Sequence, residues 1–173
     1  MTQKFPKKEL PPRVVVIGVG NLLLKDEGIG IHTVKALQEI KLPQDVKIID
    51  GGTAPDLIAY TEAGDKLIII DAAKAGGEPG TIYRLLPQDL AEENGKAISV
   101  HELSVEQNLR LMSLMGNKPG EIVIIGIEPK EINWGTELSA ELQQKVPEIV
   151  KVVLKEIAID RNGNIYLSRP GSG

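Results

Sequence analysis

The stretch VVVIGVGNLLLKDEGIG, from Val14 to Gly30, determines how the rest of this 173-residue chain is interpreted. Its first part, Arg13–Val19, is an almost continuous β-branched run, which is typical of a strand buried on both faces. A glycine-containing loop follows, and helical spacing of apolar residues begins near Asp26. The loop places Asp26 and Glu27 where a nucleotide-binding protein would hold anionic phosphates, so its chemistry needs another explanation.

Strands and helices alternate along the remaining sequence. Strands are predicted at 46–52, 66–72, 80–87 and 121–129, and helices from about Asp26 and at 54–64, 103–116 and 138–157. This alternation predicts an α/β domain, a three-layer sandwich with a mainly parallel central sheet flanked by helices. We interpret residues 1–173 as a single domain in which residues 1–12 form a loose lead-in.

Three local features carry further predictions. The first helix is predicted to extend its apolar stripe to Ile40 and to direct His32 to solvent. Pro147 is predicted to kink the last helix or to make it restart. Asn162-Gly163 lies between alternating apolar residues, which predicts an extra hairpin over 157–168.

Composition limits the classes of partner and chemistry. The net charge is −4 and the pI is near 5.3, which argues against nucleic acid or an anionic membrane surface as partner. The chain has no cysteine, so disulfides, zinc–thiolate sites and a cysteine nucleophile are excluded. The first residues are too polar for a signal peptide, and no apolar run approaches the roughly 20 residues that span a bilayer. We expect a cytoplasmic protein.

Nucleotide binding and serine catalysis are both poorly supported. Gly18 and Gly20 begin a dinucleotide fingerprint, but Leu23 occupies the position of its third glycine, and no Gly-Lys-Ser/Thr sequence is present. Two carboxylates in the loop would also repel a phosphate. The chain has no G-x-S-x-G sequence to present a serine nucleophile. An α/β hydrolase or nucleotide-binding protein therefore remains only a minor alternative.

Metal chemistry is a stronger interpretation. Ligands bind at the carboxyl ends of strands in open α/β sheets, and Glu27 and Asp71 follow or close predicted strands. Together with His101 they form a set of two carboxylates and one imidazole, which suits nickel, zinc or iron. The spacing alone leaves simpler roles open: Glu27 at a helix N-terminus, Asp71 capping a turn, and His101 on a surface loop.

The combination of motifs resembles the hydrogenase maturation endopeptidases. The family pattern G-x-G-N-x-L-x-x-D-E-x-x-G matches Gly18, Gly20, Asn21, Leu23, Asp26, Glu27 and Gly30. Further landmarks follow in the family's order: DGGT at 50–53, DA at 71–72, PG at 79–80 and SVHELS at 99–104. The resemblance spans roughly Val14–Leu154.

The resemblance implies an endopeptidase that removes the C-terminal extension from the precursor of a nickel–iron hydrogenase large subunit. It acts after nickel insertion, so the nickel is expected to arrive with the substrate, although other divalent metals can occupy such a site in vitro. By motif match, the metal-contacting and catalytic residues are Glu27, Asp71 and His101. Residues expected to support the loops or the substrate are Gly20, Asn21, Asp26, Asp50, Gly51, Gly52 and Thr53. On this interpretation the two carboxylates of the first loop face a cation.

Two questions stay open at this point. Hydrolysis is either metal-assisted or based on a carboxylate that acts as general base. The alternative to a protease is a non-catalytic nickel checkpoint or chaperone for the same precursor.

Overall fold

A computed structural model describes residues 13–90 and 102–159 of the chain. Its elements, in chain order, are β1 (Val14–Gly18), a 3-10 turn (Lys25–Gly28), α1 (Ile29–Gln38), β2 (Val46–Asp50), α2 (Leu57–Tyr60), β3 (Lys66–Ala72), β4 (Ile82–Leu85), a second 3-10 turn (Pro87–Leu90), α3 (Glu102–Leu114), β5 (Glu121–Ile127) and α4 (Ala140–Ala158). The described ranges contain no helix that is both long enough and apolar enough to cross a membrane.

The five strands form one sheet in the order β2-β1-β3-β5-β4. β1, β2, β3 and β5 are parallel, and β4 pairs with the edge of β5 in the antiparallel direction. The prediction of a mainly parallel α/β sheet is therefore confirmed. β1 and β3 lie next to each other near the middle of the sheet, which makes their carboxyl ends the expected place for a ligand.

Helices cover both faces of the sheet, so the three-layer arrangement is also confirmed. On one face, alternate strand residues such as Val16 and Ile68 pack with α1 and α4. On the other face, residues such as Ile17 and Leu67 pack with Leu57 of α2 and the α3 side chain of Met112. Because both faces of each central strand are buried, the strands are continuous Val/Ile/Leu runs rather than alternating ones.

Several local predictions are wrong. α1 begins at Ile29 because residues 25–28 form a 3-10 turn first, and Ile40 lies beyond the helix and is 38% exposed. α4 continues through Pro147, so the predicted restart is wrong, and the kink stays a prediction. Pro147 and Gln143 lie on the exposed face, so water can hydrate the Gln143 carbonyl that loses its helical donor. The predicted hairpin at 157–168 lies almost entirely outside the described residues.

An ionic cluster closes the amino-terminal edge of the sheet. The Lys66 Nζ atom at the start of β3 is buried and lies 3.0 Å from Glu156 Oε1 of α4. Arg84 of β4 binds the same carboxylate at 2.9 Å. Burial alone would raise the pKa of Glu156, but hydrogen bonds from Arg84 and Lys66 outweigh it and hold that pKa below its usual value. This cluster lies at the opposite edge from the candidate site.

Candidate active site

Three glycines bring α1 close against the strand ends. A Cβ atom at Gly18 would lie 2.3 Å from the Gly30 carbonyl oxygen, and one at Gly30 would lie 2.2 Å from the oxygens of Ile70 and Val19. Gly20 has φ +150°, and a Cβ there would lie 2.0 Å from the Glu27 oxygen. Only glycine permits these approaches. The glycines of the first loop therefore serve close packing, which sets the 3-10 turn at the carboxyl ends of β1 and β3.

Asp26 is fully buried and is bound entirely by protein donors. Its Oδ1 accepts a hydrogen bond from Ser139 N at 2.7 Å. Its Oδ2 accepts from Lys130 N at 3.0 Å, Glu131 N at 2.8 Å and Ser139 Oγ at 2.8 Å. Four donors match the acceptor capacity of a carboxylate. The interpretation that both loop carboxylates face a cation is therefore wrong for Asp26, which ties the first loop to the segment before α4.

That segment, residues 128–139, is named the β5–α4 loop. Its backbone pairs directly with the β1–α1 loop: Lys25 N donates to Gly135 O at 2.8 Å, and Gly135 N donates to Leu23 O at 3.0 Å. Asp26 N also donates to Glu131 O at 3.1 Å. Lys25 has φ +47°, a rare conformation for a residue with a side chain, and these bonds hold it there. The turn that carries Glu27 is thus fixed from outside the sheet.

Glu27 and Asp71 lie at the same edge of the sheet. Glu27 is half-buried in the 3-10 turn, and that turn packs against β3. Asp71 is the penultimate residue of β3 and is fully buried, with its Oδ1 accepting from Ala72 N at 2.8 Å. Val19 N donates to Ile70 O at 2.8 Å, which joins the start of the first loop to the residue before Asp71. The structure therefore places two of the three predicted site residues at the same edge of the sheet.

The third predicted residue, His101, lies outside the described residues. Within residues 13–90 and 102–159, no group of three or more histidine, aspartate or glutamate side chains is placed to hold a metal ion. The predicted set needs His101 for its third member. Metal binding by Glu27, Asp71 and His101 accordingly stays a prediction.

The DGGT sequence supports the first loop from the β2 side. Asp50 Oδ1 accepts from Gly52 N at 3.0 Å, which closes a tight turn in which Gly52 has φ +62°. Gly51 N donates to Gly18 O at 2.8 Å, and Gly20 N donates to Gly52 O at 2.9 Å. Thr53 is exposed beside this turn. The loop that carries Glu27 is therefore held on both sides.

Asn21 stabilises the first loop from within. Its Oδ1 accepts a hydrogen bond from Leu23 N at 2.9 Å, and its backbone oxygen accepts from Leu24 N at 3.1 Å. An asparagine side chain that binds the backbone two residues ahead mimics a backbone turn. The local sequence Asn-Leu-Leu thus begins the reversal that leads to the 3-10 turn.

Glu128 is a site-shaping residue that the sequence interpretation missed. It is buried at the end of β5, and its Oε2 accepts from Ala75 N at 2.8 Å, Gly77 N at 3.3 Å and Tyr83 OH at 2.8 Å. Burial raises the pKa of Tyr83, and the hydrogen bond to Glu128 raises it further. These contacts shape the loop that follows Asp71. An acidic residue ending a buried strand at the ligand edge was the available signal.

His32 is half-buried, so the prediction that it faces solvent is wrong. Its Nε2 atom is buried. Burial lowers the pKa of His32 and the charge of Lys35 lowers it further, while a hydrogen bond with the Thr136 backbone acts in the opposite direction. The β5–α4 loop covers this side of α1, and helical periodicity cannot reveal such a contact between distant parts of the chain.

Comparison with known proteins agrees with this architecture. The model of the hydrogenase maturation protease family matches residues 31–156, which is most of the chain. The chain belongs to the hydrogenase maturation protease family, and it is a peptidase. The resemblance inferred from the first loop and its companion motifs is thereby confirmed.

Individual relatives cover nearly the whole chain. The hydrogenase expression/formation protein HupD of Rhizobium leguminosarum bv. viciae is 32% identical over 160 residues, which are 90% of this chain and 79% of that protein. The coenzyme F420 hydrogenase subunit delta of Methanothermobacter thermautotrophicus is 30% identical over 86% of this chain and 96% of its own. The solved structure of the hydrogenase maturating endopeptidase HybD from E. coli aligns with a TM-score of 0.74 and 30% identity, covering 84% of this chain and 91% of HybD.

Proposed function

We propose that this peptidase removes the C-terminal extension of a nickel–iron hydrogenase large-subunit precursor in the cytoplasm. It acts after nickel insertion and recognises the nickel that the substrate carries. The family membership and the named relatives support a role in hydrogenase maturation. The observation that carries the proposal for the site is the placement of two acidic side chains, Glu27 and Asp71, at the carboxyl edge of adjacent central strands.

Glu27, Asp71 and His101 are assigned as the residues that contact this nickel. Two carboxylates and one imidazole leave room in the coordination sphere for further ligands, which the substrate would supply. Such a set holds free metal weakly and a substrate-bound ion well. A precursor without nickel would lack this anchor, so cleavage would be restricted to loaded precursor.

Hydrolysis requires a water activated beside the scissile carbonyl. A carboxylate of this pair can accept the proton from that water as general base while the water oxygen attacks the carbonyl carbon. The peptide C–N bond then breaks, and the new amine takes up a proton. The substrate-borne nickel would position or polarise the scissile carbonyl. Asp26 has no part in this step, since four protein donors already bind its carboxylate.

Mass spectrometry of the large subunit tests the proposal. Nickel-loaded and nickel-free precursor are incubated with the wild-type chain, with Glu27→Gln and with Asp45→Asn. Asp45 is an exposed aspartate before β2, so Asp45→Asn controls for the loss of one negative charge. We expect a shorter product from loaded precursor with the wild type and with Asp45→Asn only. Tight binding of loaded precursor without any shortening would instead establish a nickel checkpoint.

A further inference from the structure

Exposed apolar side chains lie on the two joined loops beside the candidate site. Trp134 is 80% exposed, Leu23 54% and Ile132 37%. Trp134 is also the only tryptophan of the chain, which has few aromatic residues in all. Tryptophan is costly to leave in water and is enriched among residues that dominate binding energy at protein interfaces. We name Leu23, Ile132 and Trp134 the Trp134 patch.

The backbone that carries the Trp134 patch is held in place. Gly135 N donates to Leu23 O at 3.0 Å, and Lys25 N donates to Gly135 O at 2.8 Å, so the two loops that contribute the patch are joined. Asp26 binds the β5–α4 loop on either side of Trp134, at residues 130–131 and at Ser139. Loops that are already ordered lose little conformational freedom when a partner binds.

The charges around the Trp134 patch bind one another. Lys25 Nζ lies 2.5 Å from Glu131 Oε2, and Lys130 pairs with Glu141. These two ion pairs neutralise four of the charges near the patch. The chemistry therefore favours an apolar protein surface as partner rather than an anionic or cationic ligand.

From this arrangement we propose that the Trp134 patch docks an apolar surface on the folded body of the large-subunit precursor, next to its C-terminal extension. The inference rests on the proposed function and specifies how its substrate is held. The patch and Glu27 share one loop: Leu23 and Glu27 are separated by only three residues, all within the segment fixed by the β5–α4 loop. A body docked on Trp134 would thus present its extension to the edge where Glu27 and Asp71 lie.

Steady-state processing of nickel-loaded precursor by Trp134→Ala and Leu23→Ala tests this proposal. The control is Leu114→Ala, at an 81% exposed leucine near the end of α3, before β5 begins and hence at the opposite edge of the sheet. We expect KM to rise about tenfold or more for Trp134→Ala, the effect of truncating a dominant interface residue. The kcat should stay within about twofold, and Leu114→Ala should match the wild type. An unchanged KM for Trp134→Ala would overturn the proposal.

A second readout separates docking from cleavage. Because the chain has one tryptophan, 5-fluorotryptophan labelling gives a single ¹⁹F resonance at Trp134. Added precursor should shift this resonance and reduce the difference between its chemical shifts in H₂O and D₂O, which measures solvent exposure. A shift without any cleavage keeps the docking inference and rejects the proposed proteolysis. Cleavage with an unchanged resonance rejects docking, and a shift that follows the concentration of this chain alone identifies a second copy as the occupant and also rejects the inference.

Discussion

The neighbouring carboxylates Asp26 and Glu27 should respond in opposite ways to the same chemical change. Asparagine at position 26 keeps one oxygen and replaces the other with an amide donor. If the amide NH₂ group takes the place of Oδ1, it faces one donor, the Ser139 N–H. If it takes the place of Oδ2, it faces the three donors on Lys130, Glu131 and the Ser139 hydroxyl. A buried N–H without an acceptor costs about 1–3 kcal/mol, and the remaining bonds lose their charge assistance. We expect Asp26→Asn to lose about 2–4 kcal/mol of unfolding free energy.

For a domain of this size each kcal/mol moves Tm by about 2–4 °C, so Asp26→Asn should melt roughly 4–16 °C below the wild type. Glu27→Gln should lose no more than about 1 kcal/mol, the value of a charge near a helix N-terminus. Its processing rate should nevertheless fall by at least about 10²-fold, because an amide is a poor cation ligand and cannot act as a base.

Thermal melts followed by circular dichroism, together with the precursor-processing assay, measure both effects. Asp45→Asn serves as the control, since an exposed substitution should stay within about 0.5 kcal/mol of the wild type. A melting temperature for Asp26→Asn equal to that of Asp45→Asn would refute the hydrogen-bond reasoning. Normal processing by Glu27→Gln would refute the functional role of Glu27.

Three further predictions concern the two histidines, the metal content of the protein and the ion pairs of Glu156. His101→Ala should abolish processing. His32→Ala should retain processing within a few-fold and lower Tm, since His32 fills space under the β5–α4 loop. Equal processing by both variants would contradict the assignment of a functional role to His101 alone. Dialysed protein should contain far less than one nickel or zinc per chain by elemental analysis, and stoichiometric, chelator-resistant metal would contradict a substrate-borne ion. Because the pKa of Glu156 is lowered in the folded state, its stabilising contribution should be present above pH 4.5 and lost as pH falls through the folded pKa. Urea unfolding measured as a function of pH should therefore show a smaller loss of unfolding free energy at acid pH for Glu156→Gln than for the wild type. Arg84 is left unchanged in this variant.

Much of the fold follows from sequence because its signals are local. The sequence predicts the bounds of the buried strand Lys66–Ala72 to the residue. Its mostly apolar run lies between the turn at Gly64 and the polar residue Lys74, and a short run bounded in this way is typical of a buried strand. The alternation of such runs with helical periods then gives the sheet type. The helix start near Asp26 was misplaced because 3-10 and α-helical turns have similar local patterns, and residues 25–28 form a 3-10 turn.

The site was only partly predictable for the opposite reason. Motif resemblance selected Glu27 and Asp71 and assigned Asp26 to loop support, but the sequence does not show which groups bind the Asp26 carboxylate. The difference depends on donors more than 100 residues away, at Lys130, Glu131 and Ser139. Glu128 was missed because its partners also come from distant parts of the chain, the loop after β3 and strand β4.

The long-range closure of the first loop also orders events during synthesis. The Asp26 carboxylate joins groups 104, 105 and 113 residues further along the chain. Contacts of such high sequence separation form late, because the loop they close is long. A nascent chain that has not yet released Ser139 from the ribosome cannot fix the turn that carries Glu27. We therefore expect nascent chains that end before Ser139 to lack peptidase activity, even when all residues of the candidate site have been made.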